Sequence, residues 1–309
     1  MHSATAIHVA FVVDNRYAQH LGVAIVSLLR NVSAGTKSYL YVVEDGLSDR
    51  NRFLLAETAA RHGASLAFRS AGGRLGGRLA TSGHISQASY YKMLLPKLLA
   101  DVPSDKVIYL DCDVIVLTDI RELWKTDLRG RVLAAVRDLG GGNRCKELGI
   151  DDPSRYFNAG VMVLDLRQWR DRKLDEAVLA YAAANADRLM YHDQDALNAV
   201  LHREWLPLDS KWNRQTNMLT RRFRKRNGPP GIVHFTGTSK PWDYDSDHPY
   251  KASYFEYLHL TGWSSYKPER GAGVRLKRLV RLLVPRQVIG YAGRVKDQIA
   301  RRRAAEVTK

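Results

Sequence analysis

The first 70 residues alternate between apolar runs of strand length and amphipathic stretches of helix length. The apolar runs are residues 6–14, 38–45 and 64–70. Helical patterns fill residues 17–31 and 48–63, the second with Ser48 as its cap. This strand–helix–strand rhythm is typical of an α/β fold with a parallel, doubly wound sheet, in which ligands bind beyond the carboxyl ends of the strands.

The same kind of pattern continues, less regularly, through the next 120 residues. A Gly-rich loop is predicted at 74–84, and no internal repeat is visible. The further predicted elements are a helix at 86–101 that Pro96 kinks, strands at 132–137 and 160–166, a helix at 174–187 and another after Asp193.

Acidic residues lie where several of the apolar runs end. Asp14 and Asp45 each close a run, and Asp111 and Asp113 interrupt another that reads as one buried strand. An unpaired charge there is costly, so a positive partner is expected. Two carboxylates at i, i+2 share one face of a strand, and a bend between them would splay them around Mg²⁺ or Mn²⁺. Two unrelated strand-end acids are the alternative.

Residues 233–242 contain a second candidate site. A predicted strand ends at His234, and small residues then lead to Lys240. Small residues allow a phosphate to approach the backbone, while Lys240 supplies positive charge and His234 a nitrogen ligand. A surface turn that carries a buried histidine would give the same pattern.

Two further segments carry polar residues beside predicted elements. Asn158, Ala159 and Gly160 come just before a predicted strand, and an amide suits sugar hydroxyls, although a simple turn also explains them. Asp193 comes just before an amphipathic pattern, which fits either a helix N-cap or a catalytic group.

Taken together, six blocks resemble the retaining glycosyltransferases of family 8, the group of glycogenin and the bacterial lipopolysaccharide galactosyl- and glucosyltransferases. The resemblance implies a GT-A fold with a mixed, mainly parallel sheet and flanking helices, a UDP-linked sugar donor, and a divalent cation, usually Mn²⁺ or else Mg²⁺. The blocks are VVDNRYAQHLGVAIVSLL, HISQASYYKMLLPKLL, VIYLDCDVIV, RYFNAGVMVLDLRQWR, YHDQDALNAVL and HFTGTSKPW.

The resemblance also implies roles for single residues. Asn158, Asp193 and Gln194 match the residues around the transferred sugar and are the catalytic candidates. Gln194 would stabilise an oxocarbenium-like centre in a same-face substitution, and Asp193 would hold sugar hydroxyls. The remaining matches are Asp111, Asp113 and His234 for the metal, Asp14 and Tyr17 for the base, Lys240 and Gly237 for the diphosphate, and Lys92, Cys112 and Ala159 for the rest of the donor.

Two positions depart from the family pattern. Arg16 stands where bacterial relatives often carry Asn, which affects base or ribose recognition. Lys92 replaces an arginine, which keeps the charge but loses the planar two-pronged contact. Neither departure removes an expected metal ligand.

The formal net charge of +16 is concentrated near the end of the sequence. Residues 263–309 hold 13 Lys/Arg against three acids, and 273–285 is a basic amphipathic pattern. We expect a catalytic domain at 1–262 and a helical tail at 263–309 that binds an anionic membrane, which places the protein on the cytoplasmic face of the plasma membrane. A helix docked on the domain is the alternative.

Composition and the lack of certain motifs argue against other classes of protein. No apolar run is long enough to span a membrane, and two cysteines, Cys112 and Cys145, cannot build a disulfide framework. No nucleic acid partner is expected, because no recognition motif accompanies the charge. The expected partners are a UDP-hexose, galactose or glucose, and a glycan acceptor such as a lipid-linked lipopolysaccharide core. Glycogenin-like self-glucosylation and a non-catalytic sugar-binding role are the alternatives.

Overall fold

The computed structural model describes residues 6–72 and 87–269, and a seven-stranded mixed sheet forms its centre. The strands of this part of the chain are β1 (Ala6–Asp14), β2 (Lys37–Asp45), β3 (Ser65–Ser70), β4 (Lys106–Leu110), β5 (Val114–Val116), β6 (Leu133–Arg137), β7 (Phe157–Asp165), β8 (Trp205–Pro207), β9 (Arg214–Gln215) and β10 (Ile232–His234). The large sheet has the order β3-β2-β1-β4-β7-β6-β8, and a small sheet has the order β5-β10-β9.

Helices cover the large sheet, and several short 3₁₀ segments connect the elements. The α-helices of the described residues are α1 (Ala18–Asn31), α2 (Asp49–Arg61), α3 (Leu95–Leu98), α4 (Arg121–Trp124), α5 (Leu166–Asp171), α6 (Leu174–Ala184), α7 (His192–Leu201), α8 (Arg221–Asn227) and α9 (Lys251–Leu258).

The predicted parallel sheet is confirmed for the first strands. β1 pairs in parallel with β2 and β4, β2 pairs in parallel with β3, and Ser48 caps α2 as predicted. Strand β7 is antiparallel to both β4 and β6, so the sheet is mixed. Successive residues of β1 enter the two apolar layers in turn, with Ala10 in one and Phe11 in the other. A strand buried on both faces explains its unbroken apolar run.

Two predicted elements differ from the structure. The helix predicted at 86–101 is a 3₁₀ segment, Gln87–Leu94, followed by the single turn of α3. An α-helix through this region would need an N–H at Pro96 to bond the Lys92 carbonyl, and proline has none. The strand predicted at 160–166 begins at Phe157, which places Asn158–Gly160 inside it, so the simple turn is wrong.

The acidic run is two strands rather than one. β4 ends at Leu110 in the large sheet, and β5 begins at Val114 and pairs antiparallel with β10 in the small sheet. The chain bends between them, and the Asp111 N–H donates to the Gly160 carbonyl at 2.8 Å. The bend lies between the two aspartates, so each sheet ends beside one carboxylate.

Other predictions concern residues outside the described part. The Gly-rich loop at 74–84 and the tail from residue 270 onward lie there, and the division into 1–262 and 263–309 stays a prediction. Within the described part, no helix is both long and apolar enough to cross a membrane.

Candidate active site

A cleft of about 450 Å³ opens at the carboxyl ends of β1 and β4, beside the first residues of β7. Its volume falls within the range of roughly 300–1,000 Å³ typical of ligand pockets. The predicted donor-binding and catalytic residues all line it, namely Asp14, Tyr17, Lys92, Asp111, Cys112, Asp113, Asn158, Ala159, Asp193, Gln194, Gly237 and Lys240. Asp45, at the end of β2, is not among the lining residues.

Asp111, Asp113 and His234 converge at one point, where the two aspartates line the cleft and the buried His234 is not among its lining residues. One ligand atom from each lies within 4.8 Å of the other two, and His234 Nε2 is 3.3 Å from Asp113 Oδ1. The other ring nitrogen, Nδ1, lies 3.1 Å from Asn213 Oδ1, which can only accept, so Nδ1 carries the proton. This contact turns the lone pair of Nε2 toward the two carboxylates, as in most histidine metal ligands.

Gly160 lets the His234 ring and the Asp111 carboxylate pack directly against the backbone of β7. A Cβ at this position would lie 2.2 Å from His234 Cε1 and 2.7 Å from Asp111 Oδ2. Any larger residue would therefore displace both side chains. Two carboxylates and one imidazole this close together fit a divalent cation such as Mn²⁺ or Mg²⁺.

Two lysines answer the electrostatic question that the acidic run raised. The Lys92 ammonium lies 3.2 Å from Asp111 and 2.8 Å from Asp193, and the Lys240 ammonium lies 2.7 Å from Asp113. Burial opposes the charge on Lys92, but Asp111 and Asp193 outweigh it and raise its pKa. Burial likewise opposes the charge on Asp113, and Lys240 with His234 holds its pKa well below the usual range. Each of the two acids thus has a lysine ammonium within ion-pair distance.

The sugar-side residues are tied together by a carboxylate that the sequence analysis missed. Asp138 Oδ2 accepts hydrogen bonds from the Asn158 and Gln194 amides, each at 3.1 Å. The Gln194 carbonyl oxygen accepts from the Ala159 N–H at 3.1 Å. Asp138 directly follows β6, so the strand-end signal that marked Asp14 could have found it.

Asp193 and Asp195 belong to the same helix but have different surroundings. Helix α7 begins at His192 with Tyr191 as its N-cap residue, so Asp193 is not the N-cap. Asp193 lines the cleft, whereas Asp195 is fully buried and accepts from the Tyr156 hydroxyl at 2.6 Å. Sequence reasoning overlooked Asp195, because only its partners distinguish it from other helix residues.

Three further donors complete the surroundings of Asp195. Its second oxygen accepts from Arg144 Nε at 3.2 Å and from the N–H groups of Met190 and Tyr191 at 2.8 and 3.0 Å. The Tyr156 hydroxyl also receives the Gln194 amide at 3.3 Å. The network therefore supports Gln194, and Asp195, Tyr156 and Arg144 are not among the residues that line the cleft.

Asp14 lies at the end of the cleft where the base of the donor is expected to bind. Its carboxylate accepts from the Tyr17 N–H at 3.1 Å and pairs with the Arg16 guanidinium at 3.0 Å. The departure at Arg16 thus places an exposed cation on the carboxylate itself. Burial raises the pKa of Tyr17.

An aromatic wall adjoins this end of the cleft. The His20 ring stacks on Trp242 with centroids 3.6 Å apart, and its Nδ1 lies 2.7 Å from the Tyr254 hydroxyl. Burial lowers the pKa of His20 to about 3. This histidine is therefore neutral in the folded protein at ordinary pH.

The sheet order and the cleft at its strand ends are those of GT-A glycosyltransferases. The crystal structure of the galactosyltransferase LgtC in complex with donor and acceptor sugar analogs matches with a TM-score of 0.75 at 26% identity, over 87% of this chain and 100% of that one. The chain belongs to the family described as Glycosyl transferase family 8, whose model matches residues 8–246. The family resemblance and the expected fold are confirmed.

Two curated relatives cover most of the chain. General stress protein A of Bacillus subtilis (strain 168) is 35% identical over 272 residues, which is 84% of this chain and 95% of the relative. Lipopolysaccharide 1,2-glucosyltransferase of Escherichia coli (strain K12) is 26% identical over 302 residues, or 94% and 89% of the two chains. The protein is thus a transferase of glycosyl groups.

Proposed function

We propose that this enzyme transfers galactose or glucose from a UDP-sugar to a hydroxyl of a cell-surface glycan, with retention of configuration and with Mn²⁺ or Mg²⁺. The observation that carries the proposal is the convergence of Asp111, Asp113 and His234 beside Lys240, with Gly160 allowing His234 and Asp111 to pack against its backbone. Solved and curated relatives that include a galactosyltransferase and a glucosyltransferase support the choice of hexoses.

The metal ligands are Asp111, Asp113 and His234. When bound, the cation neutralises the negative charge of the donor diphosphate and of the departing UDP. Asn213 fixes the His234 ring for this role. Lys240 Nζ, which lies 2.7 Å from Asp113, supplies a second positive charge to the diphosphate next to the Gly237 backbone.

The donor's other contacts follow from the lining of the cleft. Asp14 and Tyr17 bind the base. Cys112 and Ala159 contribute backbone groups that lie close to the donor. Lys92 holds Asp111 and Asp193 in place, because its ammonium bridges the two carboxylates. These charges lie in a buried region, where their interactions are stronger than in water.

Catalysis depends on the sugar-side residues. The Gln194 side chain lines the cleft and is fixed at both ends, because its amide N–H donates to Asp138 and its carbonyl oxygen accepts from the Ala159 N–H. We assign to it the stabilisation of positive charge at the anomeric carbon. Asp193 and Asn158 bind the hydroxyls of the transferred sugar, and the leaving phosphate takes the proton of the acceptor hydroxyl.

Donor hydrolysis tests this proposal without knowledge of the acceptor. Each of a panel of UDP-sugars is incubated with the enzyme, with and without Mn²⁺, and released UDP is measured. UDP-galactose or UDP-glucose should be hydrolysed only with the cation, and Asp113→Asn should abolish the reaction. Metal-independent hydrolysis, or full turnover by the variant, would exclude the assigned centre.

We place the acceptor on a lipid-linked glycan at the inner face of the plasma membrane. The lipopolysaccharide-specific name of one relative and the basic sequence of residues 263–309 support this assignment. Co-sedimentation with vesicles that contain phosphatidylglycerol tests the tail. Removal of residues 270–309 should abolish binding, and equal binding by the truncated chain would exclude the role of the tail.

A further inference from the structure

Helix α8 concentrates positive charge on one short surface element. Its sequence, RRFRKRN, contains five cations and no acid, and all five side chains are exposed. The described residues carry 34 Lys/Arg and 30 Asp/Glu, so without α8 this part of the chain would hold 29 cations against 30 acids. The net charge of the described part is therefore 34 − 30 = +4 with α8 and 29 − 30 = −1 without it.

The charges on α8 favour the helix at only one of its two ends. Arg221 and Arg222 stand in the first turn, where the helix dipole disfavours cations. Arg221 and Arg222 also face Lys225 and Arg226 at i, i+4, a spacing at which like charges repel. Only the cations of the last turn match the dipole. An explanation by helix stability thus covers one end of α8 and fails at the other.

The fold nevertheless holds this helix rigidly. The Thr220 side chain caps its start, and the fully buried Arg214 donates to the Asn227 and Gly228 carbonyls at 3.1 and 3.4 Å. The same guanidinium lies 4.9 Å from the centre of the Phe223 ring. A sixth cation is therefore buried beneath the helix to fix its C-terminal end.

The position of α8 connects it with the cleft. Gln215 and Asn217 both line the cleft, and Arg221 follows Asn217 by four residues. Four residues span at most about 14 Å, so the first cations lie within the length of a short oligosaccharide from the cleft mouth.

We propose that α8 binds oxyanion groups, phosphate or carboxylate, of the acceptor glycan beyond the sugar that is glycosylated. This inference rests on the proposed function and adds the chemical class of the acceptor. Four of the five cations are arginines, whose planar forks match phosphate and carboxylate oxygens in pairs. A fixed helix suits oxyanions at fixed positions along a glycan.

A membrane surface fits α8 less well. A helix that lies in a membrane interface needs an exposed apolar face. Phe223, the only apolar residue of α8, packs against the core and Arg214. The large exposed apolar residues of the described part lie elsewhere, at Phe53, Leu139, Met190, Tyr191 and Leu260.

The first test is a titration of the full chain with inorganic tripolyphosphate in metal-free buffer. Calorimetry measures the binding. The triple variant Arg222→Gln/Arg224→Gln/Arg226→Gln should bind about tenfold more weakly than wild type, because three exposed charge contacts are removed. The matched control, Arg50→Gln/Lys125→Gln/Arg167→Gln, removes the same charge from exposed sites elsewhere and should bind as wild type does. Equal loss in the two variants would overturn the proposal.

Thermal unfolding separates binding from a structural role of the cations. The α8 variant should be at least as stable as wild type, since like-charge repulsion is relieved. A clear fall in its melting temperature would show that the cations serve the fold, and the proposal would then be wrong.

The acceptor itself is tested by transfer of labelled hexose to an envelope glycan fraction, before and after its phosphates and carboxylates are removed chemically. Wild-type transfer should fall severalfold on removal, while the α8 variant should transfer slowly to both fractions. An equal response of the two enzymes would overturn the proposal. The proposal would also be overturned if the variant lost binding to phosphatidylglycerol vesicles and kept binding to tripolyphosphate. Donor hydrolysis without acceptor should be unchanged in the variant, and its absence in wild type would count against the proposed function alone.

Discussion

The chain contains two Asp-x-Asp segments beside the same cleft, and the side chains of the two segments are placed differently. Asp111 and Asp113 both line the cleft, because the backbone bends between two sheets and both carboxylates end beside His234. In the second segment only Asp193 lines the cleft, and Asp195 is buried behind it. Residues at i, i+2 on a helix point in different directions. Equal spacing in sequence therefore gives two candidate metal ligands in one case, and one cleft residue with one buried residue in the other.

The partners of the four aspartates follow the same division. The first three each contact a lysine, a histidine or both, groups that a bound ligand can rearrange. Asp195 is fully buried and accepts from four donors, two of them backbone N–H groups. We therefore expect loss of function from changes in the first pair and loss of stability from changes at Asp195.

The largest effect is expected at the first pair. Asp111→Asn or Asp113→Asn should weaken Mn²⁺ binding by at least about 100-fold. Loss of a group that only hydrogen-bonds to a metal ligand already lowers metal affinity roughly 10–100-fold. Donor hydrolysis should be lost with Mn²⁺ binding, while the free energy of unfolding should fall less than in Asp195→Asn, because Lys92 keeps Asp193 and Lys240 keeps the Phe235 carbonyl as partners. Calorimetric Mn²⁺ titration and urea unfolding measure the two. A variant that binds Mn²⁺ as wild type does would remove the distinction between the pairs.

The reverse pattern is expected at Asp195. Asp195→Asn sets an amide N–H against one of four donors and leaves Arg144 short of a partner, which should lower the free energy of unfolding by about 3 kcal/mol. Arg144 keeps its pair with Glu147, so the lower end of the range for buried pairs applies. The folded fraction should bind Mn²⁺ with unchanged affinity. Loss of Mn²⁺ binding without loss of stability would contradict the buried, supporting role.

The pH dependence of stability separates the aspartates from the aromatic wall. The His20 pKa of about 3 lies below the ordinary value of 6.5, so the unfolded chain binds the extra proton, and stability is lost as pH falls below 6.5. Between pH 7 and 5 this histidine should cost about 2 kcal/mol. Asp113, with a lowered pKa, loses its contribution only below its unfolded value of 3.8.

Urea unfolding at pH 7 and pH 5 is the measurement. His20→Phe should remove about 2 kcal/mol of the pH dependence, and Asp113→Asn should leave the dependence as it is. If the Asp113 variant flattened the curve instead, the carboxylate would be titrating near neutral pH, against the pairing with Lys240.

The smallest effect is expected at Tyr156, whose hydroxyl joins Asp195 to Gln194. Tyr156→Phe should lower the free energy of unfolding by about 1 kcal/mol, the usual value for one lost hydrogen bond. The rate of donor hydrolysis should fall modestly, since Gln194 keeps Asp138 and the Ala159 N–H, and Mn²⁺ affinity should stay the same. A rate loss as large as that of Asp113→Asn would show that Tyr156 takes part in the chemistry.

Local patterns predicted the parts of the fold that depend on local periodicity. The first three strands and their helices follow from alternating apolar runs and the Ser48 cap. The antiparallel direction of β7 and the break at Asp111–Asp113 could not be predicted, since both depend on pairing with distant strands. At the site, strand-end acids and the family resemblance located the lining residues. Asp195 and Tyr156 were missed because their roles depend on contacts between segments about 40 residues apart.

The most direct test of the central claim is an anomalous difference map at the manganese edge, from crystals grown with Mn²⁺ and UDP. We expect one strong peak coordinated by Asp111, Asp113 and His234, with the Asp195 carboxylate unchanged among its four donors. A peak elsewhere in the cleft, or a cation that leaves His234 bonded only to Asn213, would contradict it.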